Sequence, residues 1–118
     1  MRVTEVDFGN ALPIESYGPD FYRLGGEVYP APTLFAPGHS AAWGGYEDTE
    51  TLLGLAGQID VLFIGTGPEI TPLPAVFRTT LEEAGLALEI MTSTSACRTY
   101  NVLLSEGRRV AVALLATA

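Results

Sequence analysis

The sequence predicts an α/β protein: one three-layer domain over residues 1–118, with a central parallel or mixed sheet, flanking helices and an N-terminal antiparallel meander. Three observations carry this expectation. Short aromatic and β-branched segments bounded by Gly, Pro and Asp crowd the first third of the chain. A helical apolar period begins near residue 50. Strand-like and helix-like segments then alternate to the C-terminus, the grammar of right-handed β–α–β units.

Leu12 to Tyr17 reads as the first strand and stops at Gly18-Pro19-Asp20. Phe21 to Leu24 follows and ends at Gly25-Gly26; Glu27 to Tyr29 and Thr33 to Ala36 are two further extended pieces bounded by proline. Strands this close together predict a meander. Asp48 or Thr49 can cap a helix on which Leu52, Leu55, Ala56 and Ile59 share one face, although Gly54 and Gly57 each cost about 1 kcal/mol in a helix interior. Val61 to Ile64 is a continuous apolar run, as expected of a strand covered on both faces. Leu73 to Ala84 predicts a helix with Val76, Phe77, Leu81 and Ala84 on its inner side and Gly85 as its stop. Ala87 to Met91 is a strand, Thr92 to Glu106 a helix ended by Gly107, and Arg109 to Thr117 a last apolar strand.

Composition narrows the function. The net charge of −8, with six arginines and no lysine, excludes Schiff-base chemistry and a P-loop lysine and repels polyanions, so neither nucleic acid nor an anionic lipid surface is an expected partner. No apolar run approaches the roughly 20 residues needed to cross a bilayer. The lone Cys97 allows no internal disulfide and no multi-thiolate metal site. Met1 to Asp7 carries neither a signal-peptide stretch nor an acid-free, Arg-rich presequence, which makes the cytoplasm the expected location.

In open α/β sheets, sites form beyond the carboxyl ends of parallel strands. Two such ends are visible: Gly65-Thr66-Gly67 after one strand and Thr92-Ser93-Thr94-Ser95 after another. If the strands are neighbours, Gly65, Thr66, Gly67 and Thr92 meet at one rim, where backbone N–H groups and a helix start attract a small anion. The glycines do not form a dinucleotide fingerprint, because the third glycine position is Ile70 and Pro68 lacks a donor. A tight packing turn is the simpler reading. Cys97 lies early in the last helix beside Arg98, two features that favour thiolate, but no base accompanies it and the only histidine, His39, falls in a distant loop; packing is again the simpler role. Asn101 either bonds a neighbouring loop or lines a pocket at the rim. Trp43 is read as a packing anchor, and Glu82 and Glu83 as a solvated helix face. No His, Asp or Glu set has metal-ligand spacing, and no cofactor is expected.

The C-terminal half carries a family likeness. Asp60-Val61-Leu62-Phe63-Ile64-Gly65-Thr66-Gly67 precedes a proline-started helix, then Glu89-Ile90-Met91-Thr92, Ala96-Cys97-Arg98-Thr99-Tyr100-Asn101 and Leu104-Ser105-Glu106-Gly107-Arg108. Ser16-Tyr17-Gly18, Phe21, Tyr29 and Trp43 fit in the N-terminal half. This order resembles the domain-of-unknown-function family that includes mitochondrial complex I assembly factor 3 and the adipogenesis-associated domain protein. The resemblance implies a three-layer α/β domain, supplies no enzyme activity, and points to the free-standing prokaryotic form. The leading expectation is a non-catalytic protein-interaction or assembly-type factor with an unidentified protein partner. A small-anion or small-ligand binder at the rim is the second, and a thiol-dependent enzyme using Cys97 the third. An unpaired strand edge in the meander also predicts a homodimer.

Overall fold

A computed structural model of the chain describes residues 12–118. The reading of Met1 to Asp7 and Arg2 therefore lie outside the described residues. Strands β1 (Ile14–Tyr17), β2 (Phe21–Leu24) and β3 (Glu27–Pro30) form an antiparallel three-stranded sheet. Gly25 and Gly26 turn β2 into β3 with φ of 62° and 81°, a pair of left-handed residues that suits a two-residue hairpin. The fourth extended piece, β4 (Thr33–Ala36), leaves this meander and joins a different sheet. All four of its residues are buried, so it needs cover on both faces, which a surface meander does not give.

The second sheet has the order β5-β4-β8-β6-β7, where β5 is His39–Ala42, β6 Val61–Gly65, β7 Leu88–Met91 and β8 Val110–Leu114. Strands β8, β6 and β7 run parallel, while β4 is antiparallel to β8 and β5 to β4, so the sheet is mixed. Strand β5 was not anticipated from the sequence. His39-Ser40-Ala41-Ala42 has no β-branched or aromatic residue, and it is extended because Pro37-Gly38 folds it back onto β4, with Gly38 at φ 72°. His39 is thus the first residue of an edge strand rather than a loop residue.

Three helices complete the chain: α1 (Glu50–Leu53), α2 (Ala75–Glu83) and α3 (Ser93–Ser105). The expected middle helix is reduced to one turn. Asp48 does the capping, accepting from the Thr51 N–H at 3.1 Å and the Thr51 hydroxyl at 2.6 Å, but Gly54 ends the helix and Gly57 reverses the chain at φ 80°. Helix α2 turns Phe77 and Leu81 inward, and Leu73 and Leu86 extend that stripe beyond its ends. Val76 and Ala84, expected inside, face outward; Val76 is 79% exposed. Phe77 and Leu81 are four residues apart and fix the inner face, which leaves Val76 about 100° away from it.

The three layers follow from the two-residue period of the central strands. Leu34, Leu62, Ile64, Ala111 and Ala113 point to one face, under Trp43, α1 and α2. Phe35, Phe63, Val110, Val112 and Leu114 point to the other, under α3 and the three-stranded sheet. The two helices that follow β6 and β7 cover opposite faces, as right-handed crossovers in this strand order require. Trp43 anchors the first layer: it is 2% exposed, its indole N–H donates to the Asp48 carbonyl at 3.0 Å, and its ring lies 6.1 Å from Phe77.

Gly65 marks the closest approach of α3 to the sheet. A Cβ there would lie 2.8 Å from the Ser93 Cα and 2.8 Å from Leu114 Cδ2. The Gly65→Ala protein is expected to lose about 2–3 kcal/mol of stability in urea unfolding, because backbone must move to admit the methyl. A loss within about 0.5 kcal/mol would show that the helix start gives way freely.

Candidate functional site

The rim expected from the sequence exists. Strands β6 and β7 are parallel neighbours, with Gly65 opposite Met91, and the chain leaves them toward opposite faces, so Gly65–Gly67 and Thr92–Ser95 straddle the switch point of the sheet. The crevice that such a point usually opens is closed here by hydrogen bonds. The Thr66 N–H donates to the Met91 carbonyl at 2.9 Å, and the Ser93 N–H to the Gly67 carbonyl at 2.9 Å. The Gly67 N–H donates to Ser93 Oγ at 2.9 Å, and the Ser93 hydroxyl to the Leu115 carbonyl at 2.9 Å. The Tyr22 hydroxyl reaches that same carbonyl at 2.6 Å from β2. Thr92 caps its own helix, accepting the Ser95 N–H at 3.2 Å. Gly65, Thr66 and Gly67 are all buried. The amides on which anion capture would rest therefore serve the join between strand and helix.

Ser93 is the residue that sequence reasoning passed over. It is fully buried at the centre of this network, one residue past the helix cap, with its Cα 2.8 Å from the place a Cβ on Gly65 would take. Burial pushes the Tyr22 hydroxyl up to about 12, which keeps it a proton donor.

The remaining candidates, Cys97, Arg98 and Asn101, come together away from the glycines. With Ile14, Tyr17 and Thr94 they line a cleft of about 200 Å³ between β1 and α3. Asn101 does not reach into it as a free amide. Its Oδ1 accepts the Ile14 N–H at 2.8 Å and its Nδ2 donates to the Ile14 carbonyl at 2.9 Å, so its side chain pairs with β1 as another strand would. Arg98 is exposed at the cleft mouth. Cys97 is only 4% exposed, and burial pushes its thiol up to about 12 from 9.0, outweighing the favourable charge of Arg98. The helix start and Arg98 were expected to favour thiolate, and desolvation reverses that.

Residues 14–115 match the model of the family described as protein of unknown function (DUF498/DUF598). The chain belongs to that family. The likeness read from Gly65-Thr66-Gly67, Thr99-Tyr100-Asn101 and Glu106-Gly107-Arg108 is borne out. An uncharacterized protein of Rhodobacter capsulatus is 45% identical over 115 residues, covering 98% of this chain and 93% of that one. The Xenopus tropicalis protein named NADH dehydrogenase (ubiquinone) 1 alpha subcomplex assembly factor 3 is 30% identical over 118 residues; the match covers 94% of this chain and 64% of the assembly factor's length. Among solved structures, an outer membrane protein from Bartonella henselae superposes with a TM-score of 0.80 at 34% identity, covering 89% of this chain and 94% of that one. A Bordetella pertussis protein, an Mth938-like domain, gives a TM-score of 0.73 at 26% identity. Among the described residues no helix is long and apolar enough to cross a membrane.

Two outcomes are expected at this site. Ser93→Ala strands the buried Gly67 N–H and should cost about 2 kcal/mol in urea unfolding; an unchanged midpoint would show that the network contributes nothing. Cys97 should react slowly with iodoacetamide in the native state and rapidly in urea. The sign of its pH dependence follows from the raised value: both states keep the proton well below pH 9, and between 9.0 and about 12 only the unfolded chain loses it. Stability should therefore fall as pH rises through that window, with Tyr22 and Tyr100 acting in the same direction, and Cys97→Ser should flatten its lower part.

Proposed function

We propose that this chain is a non-catalytic protein-interaction or assembly-type factor, and that the outer face of α2 is where its protein partner docks. The observation that carries the reading is the chemistry of that face. Ala75, Val76 and Thr79 are exposed and Thr80 is half-buried; the one charge in the first two turns, Arg78, is paired with Glu82 at 3.3 Å. Beside them, Tyr46, Pro74, Phe77 and Thr80 line a groove of about 640 Å³. Val76, 79% exposed, lines this groove beside Tyr46, Pro74 and Phe77, and together they suit a covered surface better than an isolated one. Glu47 borders the groove, and Glu83 lies one turn beyond Thr79. The fitting partner is a protein with an apolar protrusion flanked by basic residues, which the net charge of −8 would also steer toward this chain.

Two further points support the reading. Relatives are named as assembly factors of NADH dehydrogenase, although this chain spans only 64% of the Xenopus protein. Cys97 is poorly suited to thiol chemistry, because it is buried and burial raises its thiol. A single free and buried cysteine also suits a reducing compartment such as the cytoplasm.

The test places a photo-activated cross-linker at position 76, with position 102 on α3 as a control of similar character, in the native host. A stoichiometric adduct with one other protein from position 76 alone is expected, and Val76→Arg should weaken the isolated complex by tenfold or about 1.4 kcal/mol at least. Equal adducts from both positions, an adduct only with a second copy of this chain, or reproducible turnover by the purified protein would overturn the reading.

A further inference from the structure

The opposite end of the sheet holds a cleft that neither the rim nor the α2 face uses. It lies between the Pro37-Gly38 turn and the turns that follow α1, and it measures about 600 Å³, inside the range of about 300–1,000 Å³ typical of small-molecule sites. Pro37, Leu55 and Ile59 give it apolar lining, while His39 and Arg109, together with the uncharged Thr51 and Gln58, give it polar lining. It exists because α1 stops after one turn. Gly54, the residue at which the helix ends, has φ −64° and ψ −13°, which any amino acid adopts, and a Cβ added there would meet nothing within 4 Å. Glycine is thus required neither by backbone geometry nor by crowding, and its effect is to keep the space empty.

Arg109 is the one cation among the residues that line the cleft, and a second, Arg108, lies just outside that lining. Arg108 and Arg109 are adjacent, and both lower the pKa of Asp60. Among the described residues, Asp60 engages only one Arg109 nitrogen, at 2.9 Å, which leaves the rest of the guanidinium fork for another acceptor. His39 in its neutral form adds one N–H donor. A single negative charge balances this group, since Asp60 already offsets one of the two arginines. The dianionic phosphate of a nucleotide suits it less, because the cleft has no glycine-rich loop or long helix start to share the second charge. We propose that this cleft binds a small amphipathic carboxylate, its head on Arg109 and His39 and its hydrocarbon chain on Leu55, Ile59 and Pro37.

The inference is independent of the partner-docking face and is tested by NMR titration of the purified chain with octanoate, acetate and octanamide. Octanoate should bind in the millimolar range or tighter, as about ten non-hydrogen atoms allow, and shift the amides of Gly38, Gly54 and Ile59 first. Acetate, without the chain, and octanamide, without the charge, should each bind about tenfold more weakly or worse. Gly54→Leu should fill the cleft and abolish these shifts without lowering the melting temperature, and Arg109→Gln should weaken octanoate about tenfold. Octanoate shifts that map elsewhere, that survive Gly54→Leu, or that octanamide reproduces at equal concentration would each overturn the proposal. No shift at all with octanoate would do the same.

Discussion

The Ser93 hydroxyl holds the molecule's layers together. It accepts the Gly67 N–H and donates to the Leu115 carbonyl, which also takes the Tyr22 hydroxyl. One buried oxygen therefore links the loop after β6, the start of α3, the end of β8 and, through Tyr22, the three-stranded sheet. Such a network is stable only when every member is satisfied, since each orphaned buried polar group costs about 1–3 kcal/mol. The close approach at Gly65 follows from it, because the helix start must come within reach of two chain segments at once. The same constraint uses up the donors that make comparable rims in other α/β sheets into anion sites.

How much of the fold was readable depended on how local its causes were. The apolar runs of β6 and β8 and the Gly107 stop identify themselves, because their signals lie within the element. Strand β5 has no such signal. It is extended through its pairing with β4, and only the Pro37-Gly38 dipeptide announces it. Strand β4 was legible only as an extended piece bounded by proline; its burial and the sheet it joins depend on β8, more than 70 residues later in sequence. Helix α2 shows the limit of periodicity: Val76 and Phe77 are equally apolar neighbours, and tertiary contact decides which one turns inward.

The candidate site shows the same division. Its position at the carboxyl ends of β6 and β7 follows from topology alone, so it could be read from strand order. What fills it could not, because serine has no signature that separates a buried linker from a surface cap. Asn101 was read as bonding a neighbouring loop or lining a pocket, and its partner, the backbone of Ile14, lies 87 residues away in sequence. For Cys97 the local features and the tertiary environment act in opposite directions, and desolvation is the larger. The charge of −8 is an average that conceals the adjacent Arg108 and Arg109, the second of which shares a cleft with His39.

The middle strand of the main sheet is made after both of its neighbours. β8 lies between β4 and β6, and neither of those pairs with the other. Until Val110–Leu114 leaves the ribosome, the growing chain holds two separate half-sheets, each with one unpaired apolar border: β4 with β5 on one side, β6 with β7 on the other. The five residues of β8, all buried in the finished molecule, close both borders in a single event. Nascent chains stalled or cut short before residue 110 thus expose two unpaired strand edges at once, and their need for protection lasts until β8 has been made.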